Sequence, residues 1–314
     1  MSAFEHISVL PYETIEGLNI KPHGTYIDGT LGGGGHSALI CERLTKGRLI
    51  GIDRDENAIS AAVSKINHKN FVPVRGNFHD FSAIMDKLEI APKTLDGVLL
   101  DLGISSHQID TPERGFSFRF DGPLDMRMDN TSPLTAQQIV NTYPEKELVK
   151  IFFESGEEKH SRKIARAICE QRKVSPIETT LQLAELIEKV TPKRRSRDDK
   201  KQSPPAMRTF MALRIEVNNE LSPLANVLRE IISFLSPSGR IAVITFHSLE
   251  DRIVKTTFAK QASPCECPRD IPYCVCGKEP TVRVITRKPI TPSPQELEKN
   301  SRAHSAKLRI AEAL

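Results

Sequence analysis

The chain is predicted to be an α/β protein, a Rossmann-like sheet flanked by helices, with an all-helical domain inserted into it. Three observations carry this expectation. Tyr26-Ile27-Asp28-Gly29-Thr30-Leu31-Gly32-Gly33-Gly34-Gly35-His36-Ser37 reads as a short strand ending in an acid, then glycines, then the apolar start of a helix. Leu95-Asp96-Gly97-Val98-Leu99-Leu100-Asp101 and Arg240-Ile241-Ala242-Val243-Ile244-Thr245-Phe246 are near-continuous apolar runs of the kind that parallel sheets bury on both faces. Between roughly 109 and 212, helical periods follow one another with no strand among them.

The glycine stretch is where chemistry is expected. Glycines at a strand-to-helix turn allow positive φ and let a ligand approach backbone N–H groups at the helix N-terminus. The next strand, Arg48-Leu49-Ile50-Gly51-Ile52-Asp53, ends in a carboxylate, and an acid there can hold a ribose diol. For a dinucleotide the pattern would be G-x-G-x-x-G, but counting from Gly32 puts Ser37 where the third glycine belongs. Asp28, immediately before the glycines, instead suits a cofactor with a cationic amino-acid moiety, and S-adenosylmethionine is such a cofactor. A nicotinamide-dependent oxidoreductase is the competing class, and Ser37 and Asp28 argue against it.

The remaining elements follow in order. Glu56 to Val63 reads as a helix, Phe71-Val72-Pro73-Val74 as a short strand, and Gly76-Asn77-Phe78-His79-Asp80-Phe81 as its exit. Phe78 is either an adenine wall or a core residue under the next helix. Asp28, Asp53, Phe78 and Asp101 would then gather at the C-terminal strand ends, where ligands bind in open α/β sheets. Residues 109–133 read as loop, followed by helices at Thr135–Asn141, Glu145–Ser155, Glu157–Arg172 and Thr179–Val190. A long helix through Phe210, Leu213, Val217 and Leu221, another from Leu224 to Leu235, a turn at Ser236–Gly239, and late strands at 282–286 and around 308–310 complete the sheet. The expected boundaries are 1–108 with 213–314 for the cofactor domain, and 109–212 for a helical substrate-recognition insert.

Composition narrows the classes. Hydrophobic residues at 39% and charged residues at 27% describe an ordinary globular chain. There is no run of ~20 apolar residues for a membrane span, and the N-terminus lacks a signal-peptide pattern, so a cytoplasmic, non-membrane protein is expected, monomer or homodimer. The net charge of +4 is modest, but residues 193–214 hold eight Lys/Arg against two Asp, a local excess of six. Arg194, Arg195, Arg197 and Arg208 are therefore candidates for gripping phosphates, with a merely solvated loop as the alternative. Cys265, Cys267, Cys274 and Cys276 put four thiols within twelve residues. They are either a zinc site, although C-x-C is tighter than the usual C-x₂₋₄-C, or free cytoplasmic thiols.

The long motifs also carry a family resemblance. Tyr26 to Ser37, Asp101-Leu102-Gly103-Ile104-Ser105-Ser106, Gly115-Phe116-Ser117-Phe118, Asp121 to Asp129 and Phe246-His247-Ser248-Leu249-Glu250-Asp251-Arg252 closely resemble the bacterial 16S ribosomal RNA small-subunit methyltransferase H family, also called MraW. The resemblance spans essentially the whole chain. It implies a class I methyltransferase sheet, S-adenosylmethionine as cofactor, 16S rRNA in the small ribosomal subunit as partner, and methylation of a cytidine N4 in the decoding region. It puts cofactor contacts at Gly34, Gly35, His36, Asp53, Phe78, Asp101 and Gln108. Two departures stand out, Ser203 and Met207 in the Ser203-to-Phe210 segment and His107 before Gln108. Amino-methyltransferases commonly end the fourth strand in D/N-P-P-Y/F; Asp101-Leu102-Gly103-Ile104 keeps the acid alone. Asp101, Ser105 and His247 are accordingly the expected catalytic polar groups, with Phe246 or Phe116 as the stacking face.

Overall fold

A computed structural model describes residues 8–191, 204–268 and 273–314. The chain divides into two compact units, Met1–Gly103 with Leu221–Leu314, and Ile104–Glu220.

The first unit opens with α1 (Pro11–Leu18), a helix not expected from the sequence, then β1 (Thr25–Asp28), α2 (Gly35–Arg43), β2 (Arg48–Asp53), α3 (Glu56–Lys65), β3 (Phe71–Arg75), α4 (Phe81–Lys87) and β4 (Leu95–Asp101). The second unit holds α5 (Ser106–Asp110), α6 (Ala136–Thr142), α7 (Glu145–Glu154), α8 (Ser161–Val174), α9 (Thr180–Val190) and α10 (Pro205–Asn218). The chain then returns to the first unit with α11 (Leu224–Phe234), β5 (Leu235–Thr245), α12 (Ser248–Ala262), β6 (Val282–Val284), α13 (Pro294–Lys299) and β7 (Lys307–Ala313).

The seven strands lie in the order β3-β2-β1-β4-β5-β7-β6. β1 to β5 are mutually parallel, and β7 enters antiparallel to β5 and β6. Side-chain alternation explains why the runs are apolar throughout: successive residues face opposite layers. Ile27, Val98, Leu100, Ile241 and Val243 pack with side chains of α4, α11 and α12. Tyr26, Leu49, Leu99, Ala242 and Ile244 pack with those of α1 and α2. The segment expected to be a turn, Ser236–Gly239, lies inside β5, where Ser238 takes φ 63° and the pairing with β4 shifts register between Leu95 and Gly97.

The helical unit has its own core, in which Phe152, Ile164, Ile168, Leu183, Ile187, Phe210 and Leu213 are buried. This core explains the difference between the expected joints and the observed ones. α10, assigned by its sequence position to the sheet, packs on α6, α7 and α9 through Phe210, Leu213 and Val217. It ends at Asn219, which is left-handed (φ 49°), so Leu221 lies beyond it. α8 starts at Ser161 instead of Glu157, because Glu157 has φ 48°, a conformation that interrupts a helix.

Candidate active site

The strand order reverses between β1 and β4, so their C-terminal ends flank the topological switch point where α/β sheets form a ligand crevice. Asp28 ends β1, Asp53 ends β2 and Asp101 ends β4. Thr30 ties two of these together. Its N–H donates to Asp28 Oδ1 at 3.1 Å, and its Oγ1 accepts from the Asp101 N–H at 2.6 Å. Ser37 Oγ donates to Asp28 Oδ2 at 2.7 Å. Both oxygens of Asp28 are thus engaged within its own loop, and burial lifts its carboxyl to about 6 against those hydrogen bonds. This argues for Asp28 as a loop-holding residue rather than as the exposed anion that the sequence suggested for a cationic moiety.

The glycine loop has the form expected of a ligand cradle. Gly34 is the N-cap of α2 at φ 73°, and no side chain caps that helix end. A Cβ on Gly34 would come within 2.9 Å of Ala62 Cβ, so the turn is closed to larger residues. Asp53 Oδ2 accepts from the Gly32 N–H at 2.8 Å and Oδ1 from the Asp55 N–H at 2.9 Å. Each carboxylate oxygen has two lone pairs, so these bonds orient Asp53 while leaving acceptor capacity for a diol. Burial raises its carboxyl above the ordinary range.

Asp101 is the most perturbed acid. Burial, with the Asp28 and then the Glu250 carboxylates adding to it, pushes its carboxyl well above the usual range. Its Oδ1 is buried without a hydrogen-bond partner among the described residues. Oδ2 lies 3.6 Å from His36 Nδ1. His36 Nε2 lies 2.8 Å from the Val9 carbonyl, which can only accept, so Nε2 carries the ring hydrogen and Nδ1 presents a lone pair. Burial lowers His36 to about 4. A lone pair facing a carboxyl oxygen is compatible with a protonated Asp101, in agreement with its raised value.

Phe78 is nearly buried, in a short 3₁₀ turn after β3, and packs in the core with Phe81 and Leu100; His79 stands edge-on to its ring at 4.5 Å. Burial lowers His79 to about 4, and its Nε2 is buried without a partner. At the end of β5, Phe246 is half-buried and within 3.5 Å of where a Cβ on Gly103 would sit. His247 caps α12, its Nδ1 accepting from the Glu250 N–H at 3.4 Å. Its Nε2 is 3.0 Å from Glu250 Oε1, while Glu250 Oε2 accepts from the Phe246 N–H at 2.9 Å. His247 is therefore held by its own capping box.

The other candidates lie in the second unit, outside the described residues, or, for the four clustered cysteines, in the first unit between α12 and β6. Ser105 and Gln108 cap each other at the start of α5: the Ser105 N–H donates to Gln108 Oε1 at 3.1 Å, and the Gln108 N–H to Ser105 Oγ at 3.2 Å. Phe116 is buried in the helical core, which leaves Phe246 as the better stacking face. Arg208 does not fit the RNA role expected of it, because its Nε donates to Glu158 Oε2 at 2.6 Å and Glu158 is fully buried. Arg194, Arg195 and Arg197 lie outside the described residues. Cys265, Cys267, Cys274 and Cys276 converge, their sulfurs all within 4.8 Å of one another.

Sequence reasoning overlooked Thr30, His79 and Glu250. Thr30 stands two residues after Asp28, His79 directly follows Phe78, and Glu250 stands three residues after His247, the spacing of a capping box.

This arrangement defines a class. A seven-stranded sheet in this order, with one strand antiparallel near its edge, a glycine loop after β1 and an acid ending β2, is that of Rossmann-like S-adenosylmethionine-dependent methyltransferases. The residues fit that cofactor: an uncapped helix start behind glycines, a diol acceptor in Asp53, and a buried carboxyl oxygen without a partner at the switch point. The model of the MraW methylase family matches residues 3–314, and the chain belongs to that family. It is 52% identical to the ribosomal RNA small subunit methyltransferase H of Carboxydothermus hydrogenoformans, over 99% of this chain and 98% of that protein. It is 51% identical to the protein of the same name from Clostridium botulinum strain Kyoto, over 98% of each. A solved rRNA methylase from Streptococcus thermophilus is similar at 10% identity and a TM-score of 0.38, covering 97% of this chain and 93% of that one, too distant to bear on the site. Among the described residues no helix is long and apolar enough to cross a membrane.

Proposed function

We propose that this protein transfers a methyl group from S-adenosylmethionine to the N4 amine of a cytidine in the decoding region of small-subunit ribosomal RNA. The observation that supports this reading most is Asp101, a buried carboxyl at the switch point with one oxygen free of any described partner. The family and the names of its relatives supply the RNA.

The cofactor supplies an electrophilic methyl on sulfur. Cytosine N4 is a weak nucleophile because its lone pair is delocalised into the ring, so alignment has to do most of the work. Asp101 Oδ1 accepts an N4 hydrogen and orients the amine. The proton that N4 loses on methyl transfer would leave to a carboxylate or to water. Asp53 would hold the ribose, the start of α2 at Gly34, Gly35 and His36 would receive the anionic carboxylate, and Phe78 would border the adenine. The resemblance implies a cofactor contact for Gln108, and the sequence reading makes Ser105 a candidate polar group for the amine. His247 supports the turn before α12, and Phe246 offers a stacking face to a base taken out of its stack. The helical unit recognises the RNA. There, Arg162, Lys163 and Arg166 of α8 are exposed on one helical face and suit phosphate contact.

Incubation with methyl-labelled S-adenosylmethionine and small subunits lacking the modification tests this directly. Label at N4 of a single decoding-region cytidine supports the proposal. Label on another base or another atom, or no transfer, rejects it.

A further inference from the structure

The segment between α12 and β6 lacks, in its described residues, the apolar burial that holds the rest of the first unit. None of its described residues from Ser263 to Thr281 is buried, and Tyr273 and Val275 are 79% and 74% exposed. At its base, the Thr281 N–H donates to the Gln261 carbonyl at 3.0 Å and Thr281 Oγ1 to Gln261 Oε1 at 2.8 Å. None of the segment's described residues belongs to an apolar core. Small segments without a core need another crosslink, commonly disulfides or a metal.

The thiols meet the requirement for a metal. Cys265 and Cys274 have their sulfurs 3.5 Å apart, Cys267 and Cys274 3.9 Å, and Cys274 and Cys276 3.4 Å. A disulfide needs about 2.05 Å, so none of these pairs is bonded, and all four are free cysteines. Four thiolates around one tetrahedral ion with metal–sulfur bonds of about 2.3 Å stand about 3.8 Å from one another, which these distances bracket. A polynuclear iron–sulfur cluster would hold its thiolates farther apart than the 4.8 Å within which all four lie.

The backbone is arranged around thiolates as well. The Val275 N–H donates to Cys267 Sγ at 3.3 Å. Donors aimed at sulfur spread the negative charge that four thiolates bring, as the outer hydrogen bonds of metal sites do. Lys278 pairs with Glu266, joining the two C-x-C halves from outside. The tight C-x-C spacing is accommodated because each pair contributes two adjacent corners.

We propose that Cys265, Cys267, Cys274 and Cys276 bind one zinc ion as a closed structural site that fixes the α12–β6 segment. Soft thiolate ligands in tetrahedral array favour zinc among the available divalent ions. The site is independent of the methyl-transfer reading.

Elemental analysis of the full chain, purified without chelator or added metal, should find about one zinc per chain. In the Cys265→Ser/Cys276→Ser variant the zinc should be lost, while circular dichroism and S-adenosylmethionine binding stay as in the parent. Should that variant fail to fold, the reduced, metal-free parent titrated with Co(II) decides: it should give the intense visible bands of tetrahedral thiolate-bound cobalt, saturating at one equivalent and displaced by zinc. Absence of zinc in the purified protein together with no such cobalt spectrum overturns the proposal. Iron in place of zinc, or a folded double variant that retains full zinc, overturns it equally.

Discussion

His36 Nδ1 and Asp101 Oδ2 face each other at 3.6 Å inside the first unit, with the imidazole hydrogen committed to the Val9 carbonyl on the far side. A lone pair on Nδ1 facing Oδ2 favours the protonated form of Asp101, as does the burial that raises its carboxyl. A cation brought against Asp101 would reverse that preference. Binding of S-adenosylmethionine at a pH below the free value of Asp101 should therefore release a proton. Calorimetry in buffers of different ionisation enthalpy should show net release that fades as the pH rises above the free value of Asp101. Buffer-independent heats would contradict the raised carboxyl.

Asp53 joins the end of β2 to the glycine loop through the Gly32 N–H. Asp53→Ala should weaken S-adenosylmethionine binding by about 1.5–3 kcal/mol, the range for hydrogen bonds to a charged group. Titration calorimetry showing unchanged affinity would move the ribose elsewhere.

Asp28 gives a pH signature of known sign. In the folded protein it holds its proton up to about 6, and in the unfolded chain only to about 3.9. Between these values the folded state binds more protons, so this group lowers stability as the pH rises through the window, and its effect is constant above it. The stability of Asp28→Asn relative to the parent should therefore climb between about pH 4 and pH 6, by up to about 3 kcal/mol. Urea unfolding at several pH values measures it; a difference independent of pH would refute the assignment.

The sheet was legible because buried parallel strands write themselves as apolar runs, and Asp53 and Asp101 because strand ends are where such runs stop. The uses of Asp28 and Arg208 were not. Asp28 is satisfied by Ser37, nine residues on, and Arg208 by Glu158, fifty residues back. Each pairing depends on packing that no periodicity encodes. α10 was misassigned for a related reason: its apolar stripe shows that it packs, not which core receives it.

The exposed face of α8 should contribute charge without reading sequence. Replacing Arg162, Lys163 and Arg166 with Ala should lower RNA affinity and flatten the slope of log affinity against log salt by up to about two to three units, at about 0.7–0.9 per phosphate. Cofactor affinity should not change. A slope equal to that of the parent would mean that this face does not touch RNA.

The central claim is that Asp101 orients the reacting amine. Single-turnover methylation by Asp101→Asn, at saturating cofactor and with RNA bound, addresses it without interference from substrate affinity or product release. The rate should fall about 10²-fold or more, the range for a positioned proton acceptor. A rate within about threefold of the parent would contradict the claim and leave Asp101 as a cofactor contact alone.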